Sequence, residues 1–176
     1  AQYLERMHVP KEAIDRVCTA DNIDMGRLTR YAEDFYSACS SVGLCIRVPL
    51  VATYTLESLA DLYAATTGIE TDPAHLMKAG ETAWNIIKMA NAREGFSRKD
   101  DRVPDAFFEP VTVGGKTLTL RDYFGKPMDR AAVERVEDNY YDERGWNVKD
   151  SLPTREKLTE LGLGDMVPDM ERAAKR

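Results

Sequence analysis

The sequence is poor in the residues that most often carry chemistry. It has three cysteines and two histidines among 176 residues. Cys18, Cys39 and Cys45 form no CxxC pair, which argues against a disulfide-rich secreted fold and points to a reducing, cytoplasmic setting. Cys39 and Cys45 could pair only if the chain turned sharply between them, which Gly43 permits without requiring. HExxH, a Ser-His-Asp spacing and a phosphate-cradling glycine loop are all missing. The run GGKTLT lacks the first glycine of a P-loop and reads as a hairpin turn. His8 and His75 stand alone, so each reads as a structural or exposed side chain before an acid–base group. With no nucleophile–base pair in view, a stand-alone hydrolase has no support. No long Lys/Arg block is present and the net charge is -6, a poor match for nucleic acid, which needs a basic surface. The longest apolar stretch, Val42 to Leu56, is broken by Arg47 and Pro49 and is no membrane span. The start, AQYLERMHVP, lacks the basic and apolar regions of a signal peptide.

What remains is a chain with 43% hydrophobic residues, enough for one substantial domain or two small ones sharing a core. Helical periodicity dominates it. Pro10 opens a helix PKEAIDRVCTA with Ile14, Val17 and Cys18 on one face. A second helix runs from about Met25 to Val42, with Leu28, Tyr31, Ala32, Phe35, Cys39 and Val42 on one stripe and Gly43 as its stop. LCIRVPLVATYT reads as a buried connection. Thr55 caps LESLADLYAATTG, and Asp72-Pro73 starts the long helix PAHLMKAGETAWNIIKMANAREG. Its expected inner face is Leu76, Met77, Ala83, Trp84, Ile87 and Ala90. VTVGGKTLTL, near 111–120, is the only good strand signal and predicts a short hairpin. DRAAVERVEDNYYDERG returns to helix with Ala132, Val133, Val136, Tyr140 and Tyr141 inward. TREKLTELGLG is a short helix, and PDMERAAKR a polar helix or frayed end. The polar, proline-punctuated segment 96–104 marks a candidate sub-division.

The carboxylates Asp100-Asp101 and Asp138 to Glu143 read as solvated faces. Tyr140, Tyr141 and Trp146 could line a pocket, although core packing near a helix end is the plainer reading. Cys18 and Cys39 lie on apolar helix faces and read as core. Cys45 follows a Gly-Leu helix stop, on a loop where its thiol can face a neighbour. Iron–sulfur clusters are usually held by four such thiolates, more than this chain has.

Four blocks, in order, carry a resemblance. EDFYSACSSVGLC resembles the cluster- and pterin-binding segment of the tungsten-dependent aldehyde ferredoxin oxidoreductases, in which a helix ends in Asp-x-x-Gly-Leu-Cys. LADLYAATTGIETDPAHLMKAGE resembles the helix pair that follows. GETAWNIIKMANAREGFSRKDDRVPDAFF resembles the block built on G-E-R-I, N-x-R-E-G and D-D-x-L-P. NYYDERGWNVKDSLPTREKLTELGL resembles the Y-Y-x-x-R-G-W segment. Together they span about Asp24 to Leu163.

The resemblance implies a mainly α fold: residues 1–176 as the C-terminal helical region of a longer oxidoreductase. That enzyme would oxidise aldehydes to carboxylic acids at a tungsten (or molybdenum) bis-pterin centre. It would pass electrons through one [4Fe–4S] cluster to ferredoxin, and the isolated chain would be inactive. Cys45 falls on the fourth cluster ligand, the other three belonging to the N-terminal part of the same enzyme. Leu44 falls where backbone meets the pterin. Ser40 stands where the family has its aspartate, and a hydroxyl bonds pterin N–H groups more weakly than a carboxylate does. Ser40 also keeps open a second reading, a helical interaction or regulatory module that kept the fold and lost the redox chemistry.

Overall fold

The computed structural model describes residues 1–20, 22–45, 47, 54–122 and 125–175. The chain is mainly α, with the short helices α1 (Gln2–Arg6) and α2 (Lys11–Val17) leading into α3 (Met25–Ser41). Next come α4 (Leu56–Thr67), α5 (Pro73–Arg93) and, after an irregular stretch and a hairpin, α6 (Arg130–Arg144). Two short helices, α7 (Arg155–Glu160) and α8 (Val167–Ala173), close the chain. Most of the expected connection after Cys45, and Asp21 of the expected break before α3, lie outside the described residues.

Local chemistry sets the helix ends. Asp24, Thr55, Asp72, Asp129 and Thr154 each accept a hydrogen bond from a backbone N–H in the first turn of α3, α4, α5, α6 and α7, satisfying a donor that would otherwise be orphaned. Pro73 begins α5 at a position where no N–H is needed. Gly68 and Gly145 end α4 and α6 in the left-handed region, at φ 74° and 69°. The hairpin forms as expected: β1 (Val111–Val113) pairs antiparallel with β2 (Lys116–Leu118) across Gly114-Gly115. Both of its strands are exposed.

α3 is the spine, packed along α5 and α6. One apolar core gathers Leu4, Val17, Tyr31, Phe35, Leu56, Leu59 and Leu76 from α1 to α5. A second, smaller core joins the end of α5 to the C-terminal helices through Met89, Leu152, Leu158 and Val167. The last helix is therefore held, with Val167 buried.

α5 departs from the expected orientation. Leu76 is buried, but Ile87 is 51% exposed and Ala90 is exposed. The inward face is Gly80, Glu81, Asn85, Lys88, Met89 and Ala92. Hydrophobic periodicity cannot find a face whose middle is polar and glycine. Val136 on α6 is likewise exposed rather than inward, with Tyr141 and Arg144 the buried residues. α1, anchored by buried Leu4, is an element the periodicity did not indicate.

Two glycines allow these helices to touch backbone to backbone. A Cβ on Gly80 would lie 2.0 Å from the Asp34 carbonyl oxygen of α3, and one on Gly26 would lie 2.1 Å from the Val136 carbonyl oxygen of α6. Neither neighbour is a flexible side chain that could give way. Gly80→Ala should therefore push α5 off α3 and destabilise by about 3 kcal/mol. Gly43→Ala, at φ 81° in open space, should cost only about 1 kcal/mol from left-handed strain. Urea denaturation of both variants checks the contrast.

Candidate functional site

The loop Ser40–Cys45 is built by the end of α3. Gly43 N–H donates to the Ser40 carbonyl at 3.0 Å and Leu44 N–H to the Cys39 carbonyl at 3.0 Å. With Gly43 at φ 81°, this is the paired hydrogen-bond pattern that closes a helix on a left-handed glycine. Leu44 and Val42 then pack onto the first core, where Cys39 is buried. The chain is pinned on both sides of the glycine, and Cys45 emerges exposed directly afterwards. Ser40, in the last turn of α3, is also exposed.

The other cysteines play different parts. Burial pushes the Cys39 thiol up to about 11, the wrong direction for a ligand thiolate. Cys18 is half-buried, and its sulfur accepts a bond from the Ala1 ammonium at 3.5 Å. Among the described residues, no group of three or more His, Cys, Asp or Glu is placed to hold a metal ion. Both histidines serve the scaffold: His75 contacts the capping Asp72 at 2.8 Å, and His8 contacts Glu57 at 2.5 Å.

The polar chemistry that the sequence hid lies between α3, α5 and α6. Arg144 is 0% exposed. It donates to Asp34 at 2.7 Å, to Glu33 at 2.7 Å and to the Tyr140 hydroxyl at 3.0 Å. Its guanidinium lies 5.4 Å from the Trp84 ring centre and 5.6 Å from that of Trp146. Trp146 donates to Asn85 at 2.9 Å, and Glu81 takes ion pairs from Arg30 at 2.7 Å and Lys157 at 3.0 Å. Glu143, expected to be solvated, instead accepts from Arg16, Arg27 and Tyr31 at 2.5–2.8 Å. Asp101, exposed as expected, also accepts from Lys88 at 3.1 Å and from the Tyr141 hydroxyl at 2.9 Å. The available signal was the crowding of Tyr140, Tyr141, Arg144 and Trp146 in seven residues. These aromatics pack in the interior and also line a cleft of about 370 Å³, so both readings of the group hold.

Residues 1–163 match the family described as "Aldehyde ferredoxin oxidoreductase, domains 2 & 3". The chain belongs to the aldehyde ferredoxin oxidoreductase family. It is 29% identical over 140 residues to the tungsten-containing aldehyde ferredoxin oxidoreductase of Pyrococcus furiosus, covering 76% of this chain and 20% of that protein. The protein of that name from Thermococcus kodakarensis is 27% identical over 142 residues, 77% of this chain and 20% of its own length. A Pyrococcus furiosus protein named "Aliphatic sulfonate oxidoreductase, WOR-like subunit" is 33% identical over 79 residues, 45% of this chain and 11% of that one. The fold recurs in the active site complex BamBC of benzoyl coenzyme A reductase in complex with 1,5 dienoyl-CoA. There the TM-score is 0.67 at 23% identity, over 90% of this chain and 22% of the other. The chain thus spans about a fifth of the length of the aldehyde ferredoxin oxidoreductases it matches.

Within this family member the Glu143 cluster carries a pH signature. Burial alone would raise its carboxyl, but bonds from Arg16, Tyr31 and Arg27 outweigh burial and hold it down at about 2. A carboxyl lower in the folded than in the unfolded chain stabilises above the unfolded value and loses that contribution as pH falls towards the folded one. Stability should therefore drop by roughly 2 kcal/mol between about pH 5 and pH 2 through this group. Glu143→Gln should be less stable at neutral pH and show a flatter decline. Urea midpoints across that range measure both.

Proposed function

We propose that this chain is the helical part of a tungsten (or molybdenum) bis-pterin oxidoreductase that oxidises aldehydes to carboxylic acids with ferredoxin as acceptor. When bound, the pterin-held metal would supply the two-electron redox chemistry and a [4Fe–4S] cluster the single-electron relay. The chain's own part is positional. Cys45 offers one thiolate to the cluster, and the backbone of Leu44 borders the pterin. Ser40 contributes a hydroxyl contact. The remaining three thiolates come from the N-terminal part of the same enzyme, so the isolated chain is inactive.

The observation that carries this reading is the exposed Cys45 thiol, fixed directly beyond a helix end that is closed by two backbone hydrogen bonds and anchored by Leu44. A ligand on so short a tether has little freedom to lose when a cluster forms. In full-length protein purified without oxygen, Cys45→Ser should lose most of its iron and acid-labile sulfide and the cluster's absorption. Unchanged iron and sulfide would remove Cys45 from the cluster.

One feature favours the second reading, a helical interaction or regulatory module without redox chemistry. Ser40 sits in the last turn of α3, where unpaired carbonyls give the helix a partial negative charge. An aspartate there is unfavourable unless a bound group offsets it, and serine removes that need. Ser40→Asp should cost the chain about 0.5 kcal/mol of stability. In full-length protein it should raise bound pterin if the pterin reading holds, and leave pterin absent if the module reading does. Fluorescence of the oxidised, released pterin distinguishes the two.

A further inference from the structure

The cleft between α3, α5 and α6 lies away from the Ser40–Cys45 loop, which lines no part of it. Its volume, about 370 Å³, falls within the roughly 300–1,000 Å³ of small-molecule sites. Trp84, Tyr140, Tyr141 and Trp146 supply its aromatic wall, with Ile87 and Val136 exposed at the mouth. Tyr141 and Trp146 stack with ring centres 6.2 Å apart.

Lys88 is the polar group that distinguishes this cleft. Its side chain is only 9% exposed. Its ammonium sits 5.2 Å from the Trp146 ring centre and makes a single hydrogen bond, to Asp101. An ammonium has three N–H donors, so a buried cation on the cleft wall keeps donor capacity among the described residues. The carboxylates beside it are already engaged. Asp101 accepts from Lys88 and Tyr141, and Glu33 from Arg144 and Tyr140. Glu137 also lines the cleft, and burial raises its carboxyl against the nearby Arg98 charge.

We infer that the cleft binds a small organic anion, a flat apolar body ending in a carboxylate, with the body against the aromatic wall and the carboxylate on Lys88. This site is separate from the proposed cluster loop and does not depend on it. An ammonium-bearing ligand of the same shape would meet the Lys88 cation instead and be excluded.

The chain has two tryptophans, Trp84 and Trp146, and both line the cleft, so its intrinsic fluorescence reports the site directly. Phenylacetate and phenethylamine, matched in shape and opposite in charge, are the probes. Phenylacetate should change the tryptophan emission saturably in the millimolar range, and phenethylamine should not. Lys88→Met, which keeps the aliphatic stem, should weaken phenylacetate at least about tenfold, the scale of one lost hydrogen bond to a charged group. Val136→Phe, at an exposed position on the rim, should block the mouth and weaken it comparably. It serves as the test should Lys88→Met melt early by circular dichroism. Saturable binding of phenethylamine, no saturation with phenylacetate, or unchanged affinity in the folded variants would each overturn the assignment.

Discussion

The packing of α6 on α3 is arranged around one buried guanidinium. Arg144 closes α6 and reaches across to the middle of α3, where Asp34 and Glu33 receive it. A cation taken fully out of water is tolerable only when nearly every donor is paired. Four bonds to Asp34, Glu33, the Tyr140 hydroxyl and the Arg30 carbonyl do that, while Trp84, Tyr140 and Trp146 shield its faces. Gly145, directly after it, turns the chain so that Trp146 folds back onto Asn85. The close helix contacts at Gly26 and Gly80 follow from the same constraint. Short arginine bonds across α3 need helices that touch at their backbones, and a methyl group at either glycine would hold them apart.

This polar middle explains why two apolar cores coexist. The first core ends near Leu76 and the second begins at Met89. Between them α5 presents Glu81, Asn85 and Lys88 inward, each answered by a partner on another element. Such networks are costly if half satisfied and specific if complete. They fix the rotation of α5 about its axis, which in turn leaves Ile87 outside, at the mouth of the aromatic cleft.

The legibility of the sequence follows the same division. The helix starts at Thr55 and Asp72 were readable because these residues act through local bonds that need no tertiary context. The hairpin was readable because Gly114-Gly115 is itself the turn. The stripe on α3 was readable because Tyr31, Phe35 and Cys39 pack on apolar neighbours. The inner face of α5 was not, because its burial is decided by charges on α3 and α7. Glu143 looked solvated for the same reason: its partners are supplied by distant parts of the chain, Arg16 being 127 residues away. The motif Y-Y-x-x-R-G-W was visible as a resemblance, but its physical content, a sealed arginine in an aromatic box, needed the fold.

The loop at the far end of α3 obeys a different logic from the network. There the helix is finished by its own backbone, with Gly43 and Leu44 returning two hydrogen bonds to Ser40 and Cys39. Cys39 and Cys45 lie six residues apart yet differ fully in character. Cys39 faces the first core and is held as a neutral thiol by burial, whereas Cys45 is carried past the left-handed turn into the open. The anchoring of Leu44 settles which of them can meet another surface. One end of α3 is thus locked by ion pairs and the other by packing. A thiol placed at the second end inherits the rigidity of the whole spine while owing nothing to its electrostatics. Protonation of Glu143, which would break its bonds to Arg16, Arg27 and Tyr31, can therefore loosen the α3–α6 contact without first moving Cys45.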